Sequence, residues 1–326
     1  IISLSSLLLN AQKKDIKSSP LNIPIILSGN FGEIRGSHLH SGLDIKTQGK
    51  QGFPVKNISN GSLSRIVVSI SSYGKALYID HNDGTTSVYA HLQKFSPKIE
   101  KLIKKQQYSK KRYLIELFFK KNEVPLKKNE IIGFSGNTGG STGPHLHFEI
   151  RDSKSQNPIN PLLFNYNIKD SKRPRVQNLY LYSLNSKKKF KNGTNKRKVN
   201  IKKINDSILI ADTLKLGGEY GLGIQMYDQQ DSGYNKNGVY KTEVILNNHK
   251  VFDMTFNEFS FKDKQYINYL IDYKSFFEKK IKINKLFIDK IPKISFLDFK
   301  LKNGKLSFTK ELKYDITINL IDYKKN

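Results

Sequence analysis

The sequence predicts a mainly β protein in which an antiparallel β-sheet domain is followed by a β-sandwich. From residue 21 to about residue 164, short apolar runs alternate with glycine-marked turns, the pattern of antiparallel strands. After Pro158, Pro161 and the polar stretch 170–175, longer alternating runs recur at 176–182, 207–211, 220–227, 238–246, 283–288 and 316–321, spaced as in an immunoglobulin-like sandwich. The length of 326 residues, at roughly 150 per domain, supplies two cores rather than one. The expected division is 1–11, 12–25, 26–165 and 166–326.

Residues 1–11, IISLSSLLLNA, form a short apolar run ending on a small residue ahead of Gln12, Lys13 and Lys14. They read as the remnant of a secretory signal peptide cleaved after Ala11, its true start lying upstream, and they are too short to span a bilayer. A buried strand or helix turn is the other reading. Export to the periplasm or cell envelope follows, with no transmembrane segment and, without a lipobox cysteine, in soluble form. Residues 12–25 read as a linker. Runs at 76–80 and 86–90 flank Asn82-Asp83-Gly84, a hairpin signal that leaves His91 at a strand end. Residues 99–111 form the one amphipathic helix or long loop, and 187–203 a solvated basic loop.

The absence of cysteine removes disulfides, thiolate zinc sites, iron–sulfur clusters and thiol nucleophiles together, so a metal must rest on His, Asp or Glu. The formal charge of +28 invites a nucleic-acid reading, but only seven of the 56 basic residues are Arg and the lysines are spread along the chain. A solvated basic surface suited to an anionic envelope is the better reading, with no nucleic acid as partner.

Five of the seven histidines fall in three local patterns: His38-Leu39-His40-Ser41-Gly42-Leu43-Asp44, Tyr89-Ala90-His91-Leu92, and His145-Leu146-His147-Phe148-Glu149-Ile150. Read as a strand, the third puts His145, His147 and Glu149 on one face and Leu146, Phe148 and Ile150 on the core face. His40 and Asp44 would lie about 13 Å apart if extended, so the chain must bend between them, and Gly42 permits a bend or bulge. His40, Asp44 and His147 together make two nitrogens and one carboxylate, a three-ligand set that leaves a position for water and suits zinc, although other divalent metals would be accepted. His91 and His145 are then available for proton transfer or oxyanion binding. His38 reads as a supporting or exposed residue, His81 and His249 as surface histidines, and Glu149 as a solvated strand carboxylate, the other reading being a group that orients a neighbour. The glycine-dense stretch 133–143 lacks the Lys-Ser/Thr ending of a phosphate loop and reads as a tight loop beside the site, close to an extended substrate.

At these residues the sequence resembles the lysostaphin-type, or LytM-like, zinc metallopeptidases: His40-Ser41-Gly42-Leu43-Asp44, then Tyr89 to Leu92, then His145 to His147, in the family's order. Gly52-Phe53-Pro54-Val55 and Ser135-Gly136-Asn137-Thr138-Gly139 agree as well. The resemblance covers residues 26–164, about half the chain. It implies one zinc ion per chain on His40, Asp44 and His147, with His91 and His145 orienting the attacking water and stabilising the tetrahedral intermediate. It also implies hydrolysis of peptide bonds in peptidoglycan, in stem peptides or cross-links. Residues 30–35 and 157–164 look like the opening and close of the domain in exported Bacteroidetes-type members. Gly238-Val239-Tyr240, Gln265-Tyr266-Ile267-Asn268 and Ile271-Asp272-Tyr273 look, more loosely, like the sandwich that follows it, a possible contact for an envelope protein partner. Such relatives continue past the position of Asn326, which implies a second domain either naturally short or lacking its C-terminal part. The rival readings are a non-catalytic LytM-like regulator of another wall hydrolase, which would be expected to lack ligands where this chain lacks none, and a structural envelope protein.

Overall fold

The computed structural model describes residues 17–36, 38–185, 189–190, 193–288, 294–298, 302–309 and 312–326. The signal remnant expected at 1–11 and the first part of the expected linker lie outside them. The protein is mainly β, as the sequence predicts. In the first domain the main sheet runs in the order Leu27–Gly29, Leu43–Lys46, His145–Asp152, Thr85–Ala90, Lys75–His81, Gly61–Val68, Ile115–Phe118. The strand that comes last in the chain among these, His145–Asp152, is inserted at the centre.

Its register sets up everything else. His147 stands opposite Asp44 on one side and Ala90 on the other, while Phe148 stands opposite Leu43 and Tyr89. Because side chains alternate, Leu43, Ile45, Tyr89, Leu146, Phe148 and Ile150 share a fully buried face. The Tyr89 and Phe148 rings lie 5.5 Å apart there. Burying side chains of this size contributes roughly 1.5–3 kcal/mol each, which fixes the register that the polar face depends on. That polar face is partly closed by a smaller apolar cluster of Ala76, Tyr78, Val88 and Ala90.

The predicted hairpin forms, with Gly84 at φ 77°. A second sheet pairs Pro54–Lys56, Ile131–Phe134 and Lys94–Phe95. The segment expected as a helix or loop is an α-helix, Pro97–Lys110, which starts on a proline that needs no amide partner and buries only Ile99 and Ile103. Residues 17–25 are packed rather than loose. Lys17 is buried with Nζ 2.7 Å from Asp83 Oδ2, and Leu21 lies in the core.

Among the described residues the second domain holds two larger antiparallel sheets and one two-stranded pair. One has Lys196–Val199, Arg175–Ser183, Gly218–Tyr227 and Asn284–Lys285, with Leu306–Phe308 also on the Gly218–Tyr227 strand. The other has Leu297–Asp298, His249–Thr255, Lys241–Leu246 and Ile316–Ile321. The run expected at 207–211 yields only Leu209–Ala211, an exposed partner of Ile201–Lys203, and the run at 283–288 pairs over two residues. Short helices between Phe261 and Lys279 interrupt the even strand spacing that the sequence suggests.

The two domains share one continuous core. Phe31 packs on Phe259 with ring centroids 5.0 Å apart. Leu27 N donates to Gln230 Oε1 at 2.9 Å, and the Asn30 side chain exchanges two hydrogen bonds with the Gly238 backbone. Asn160 N donates to Asn257 O at 2.7 Å.

Candidate metal centre

Three segments far apart in the chain meet on the polar face of the main sheet. His147 comes from the central strand, Asp44 from its neighbour, and His40 from the turn that precedes Leu43–Lys46. The chain does break between His38–Leu39 and Leu43–Lys46 as expected, but Gly42 serves a different need from the one expected. A Cβ there would lie 2.3 Å from the Phe148 carbonyl oxygen, so glycine lets this turn pass directly over the central strand.

His40 Nε2, His147 Nδ1 and Asp44 Oδ1 form a triangle: 3.1 Å between the nitrogens, 3.0 Å from His40 to Asp44 and 2.8 Å from His147 to Asp44. The far nitrogens are already committed. His40 Nδ1 lies 2.8 Å from Asn30 O, to which it can only donate, and His147 Nε2 lies 2.8 Å from Glu149 Oε1. With only those protons on the rings, the three facing atoms all present lone pairs, an arrangement that calls for positive charge between them, from a metal ion or from a proton shared between His147 and Asp44. Burial opposes charge on Asp44, yet His40, His145 and His147 hold its carboxyl far below the usual carboxylate range. Burial likewise opposes a proton on His147, and the hydrogen bonds to Asp44 and Glu149 overcome it, raising the imidazole to about 9. His40 is lowered by the same burial. Two nitrogens and a carboxylate oxygen, within reach of one ion and oriented by outer hydrogen bonds, fit a divalent metal of the zinc type.

His91 and His145 lie beside this triangle with ring centroids 4.8 Å apart. His91 sits just past its strand at φ 57°, its Nδ1 2.8 Å from Thr138 O. Burial, reinforced by His147, lowers it to about 4. His145 Nδ1 is 2.8 Å from Gly143 O, and its Nε2 is 3.4 Å from Asp44 Oδ1. Each ring therefore donates through Nδ1, which turns Nε2 toward the metal-capable triangle, that of His145 within 3.4 Å of Asp44 Oδ1.

Two readings from the sequence are corrected, while the third, a tight glycine loop beside the site, stands. Glu149, expected as a solvated carboxylate, is wholly buried and accepts from Tyr73 Oη at 2.5 Å, Ser41 Oγ at 2.6 Å and Arg151 Nε at 2.6 Å, as well as from His147. Its charge survives because Arg151 and His147 offset the burial penalty and pull its carboxyl well below the usual range. Its position two residues after His147, with Arg151 two further on, was the available signal. His81, expected at the surface, is buried, with Nε2 2.8 Å from Ser87 Oγ and Nδ1 3.1 Å from Asn60 O. The glycine loop is tight for internal reasons: a Cβ on Gly139, at φ 75°, would meet Gly74 N at 2.3 Å, whereas Gly143 faces open space in the cleft. His38 and His249 are exposed as read.

No motif pointed to Arg35, whose guanidinium Nη2 holds Asp44 Oδ2 at 2.7 Å, or to Tyr73, stacked on His147 at 5.3 Å. Nor did any point to the second domain, which lends Asn235, Phe261 and Lys264 to the wall of a cleft of about 1150 Å³ around the site.

The model of peptidase family M23 matches residues 38–109 and 113–161, so that this part of the chain is similar to M23 peptidase domains. Among curated relatives, the DD-carboxypeptidase/endopeptidase Mpg of Neisseria meningitidis serogroup B is 33% identical over 124 residues, 38% of this chain and 22% of that protein. Lysostaphin of Staphylococcus simulans is 31% identical over 114 residues, 33% of this chain and 18% of its own length. The chain thus spans about a fifth of the curated relatives it matches. A solved zinc-containing peptidase from Vibrio cholerae aligns with 46% of this chain and 41% of its own, at 23% identity and a TM-score of 0.32.

Proposed function

We propose that this chain is a zinc-dependent endopeptidase that hydrolyses peptide bonds of peptidoglycan, in stem peptides or cross-links, and that it works in the cell envelope. The observation that carries the reading is the triangle of metal-capable atoms from His40, Asp44 and His147 beside two imidazoles, His91 and His145, that are both anchored through Nδ1. The names of the relatives support the substrate class, since one is called a carboxypeptidase/endopeptidase and another lysostaphin.

A zinc ion held by His40, Asp44 and His147 would supply Lewis acidity, lowering the pKa of water and polarising a carbonyl. The rest falls to the chain. Glu149 fixes the tautomer and orientation of His147, and Asn30 those of His40. Arg35 holds the outer oxygen of Asp44, leaving Oδ1 turned inward. His91, neutral near pH 7 because burial depresses it, takes a proton at Nε2 from an attacking water, or His145 does so in its place. A ring protonated at Nε2 donates to the carbonyl oxygen of the substrate as it gains negative charge. No covalent link to the protein is needed. Phe261 and Lys264 lie where an extended peptide would run along the cleft.

The test is digestion of defined muropeptides with mass analysis of the products, comparing the wild type with His147→Ala. Cleaved peptide bonds in the wild type alone support the proposal. A zinc-loaded, folded wild type that releases nothing favours instead a regulator built on the same fold.

A further inference from the structure

A second group of metal-capable side chains lies in the other domain, away from the peptidase site. Asp170, Asp228 and Asp322 bring carboxylate oxygens within 4.8 Å of one another. Asp228 and Asp322 are at least 95% buried, at 5% and 0% exposure. Clustering alone would mean little, but these carboxylates are also poorly served. Both oxygens of Asp170 and Oδ1 of Asp228 are shut off from solvent and accept no hydrogen bond. The nearby backbone amides of Lys172 and Gln229 ease the charge on Asp170 and Asp228 only in part, without donating to these three oxygens. Asp322 is served from within its own turn, by Asn326 N at 2.8 Å and Asn326 Nδ2 at 3.0 Å.

Among the described residues no lysine or arginine forms an ion pair with any of the three. Lys172, the nearest cation in sequence, spends its ammonium on the carbonyls of Gln230 and Asp231 at 3.0 and 3.2 Å. One more oxygen is waiting. Asn237 is paired with Asp228 through two backbone hydrogen bonds, which puts their side chains on the same face, and its buried Oδ1 also has no donor. Three carboxylates crowded together in a low-dielectric interior repel one another strongly unless a cation joins them. A set made only of oxygens, without nitrogen or sulfur, suits a hard ion of calcium type rather than zinc.

We propose that Asp170, Asp228 and Asp322, with Asn237 as a further oxygen donor, bind one calcium ion that clamps the second domain. The three aspartates belong to the segment that leaves the peptidase domain, to the residue following the Gly218–Tyr227 strand, and to the residue following the C-terminal Ile316–Ile321 strand. The ion therefore ties both sheets of the second domain to the connection with the first.

The experiment adds calcium chloride to the zinc-loaded full chain at neutral pH and follows uptake by titration calorimetry and unfolding by circular dichroism. The expected result is about one calcium bound per chain and a rise in Tm of roughly 5 °C at millimolar calcium, with bound zinc unchanged. Asp228→Asn and the less buried Asp170→Asn should each lose most of that rise while keeping their zinc. Asp170→Asn keeps the test open if the Asp228 variant does not fold. Failure of the wild type to take up calcium or to gain stability overturns the proposal, as does a rise that persists in both variants.

Discussion

Glu149 shows how a single residue inverts a sequence reading. Its alternation with His145 and His147 was legible, but its burial was not, because a strand period cannot say whether the second face of a sheet is covered. Here Tyr73, Ser41 and Arg151 cover it. Glu149→Gln removes the negative charge and leaves one carbonyl oxygen where two carboxylate oxygens serve His147 and Arg151, so the hold on the His147 tautomer weakens. Zinc affinity should fall about 10–100-fold by chelator competition, and an unchanged affinity would remove Glu149 from the metal centre. In the proposed mechanism His91 and His145 serve the reacting atoms rather than the ion, so His91→Ala and His145→Ala should instead keep zinc and lower kcat on muropeptides by about 10²–10⁴-fold. His81 predicts a pH effect of a different kind. Burial lowers it from 6.5 to about 4, so above pH 6.5 it is neutral folded or unfolded, and below that the unfolded chain binds a proton the folded one resists. Stability attributable to His81 is lost as pH falls from 6.5 toward 4, about 2 kcal/mol between roughly pH 7.5 and pH 5. Urea unfolding at the two pH values should show a shallower drop for His81→Gln than for the wild type.

At the scale of elements, the site is a product of strand register. His147 faces Asp44 only because Phe148, between Leu43 and Tyr89, fixes which way the central strand is turned. The turn carrying His40 then crosses that strand at a point where only a hydrogen fits. Gly42→Ala places a methyl group 2.3 Å from the Phe148 carbonyl oxygen, so it should lower Tm and bound zinc together, as read by thermal unfolding and metal analysis. Retention of full zinc and stability would mean that the crossing is looser than its geometry. In the second domain the long runs at 176–182 and 220–227 form strands as read, and their pairing is extensive. The run at 316–321 also forms its strand in full, whereas those at 207–211 and 283–288 hold over only three and two residues, because a brief β-prone stretch with little partner along its edge gains too little to outweigh chain entropy.

For the whole molecule, the second domain is part of the cleft. Phe261 and Lys264 line it, and Arg151, which supports Glu149, lies 4.8 Å from the Phe261 ring. Phe261→Ala should raise KM for long muropeptides more than for short ones without loss of zinc. Cutting the chain after residue 169 would uncover Phe31 and strip Leu27, Asn30 and Asn160 of their partners. Such a fragment should melt well below the full chain and lose hydrolysis, and equal stability would show the domains to be independent.

By itself the sequence determined the β class, the hairpin ending at His91, the alternation that turns His145 and His147 to one side, and the choice of His40, Asp44 and His147 as candidate ligands that the fold brings together. These rest on local chemistry: residue type, spacing and turn propensity. Tertiary structure alone decided which sheet face is sealed, why Gly42 is needed, what Arg35 and Tyr73 hold, and that Phe261 borders the cleft. Each of these depends on contacts between segments tens to hundreds of residues apart, which no local pattern encodes.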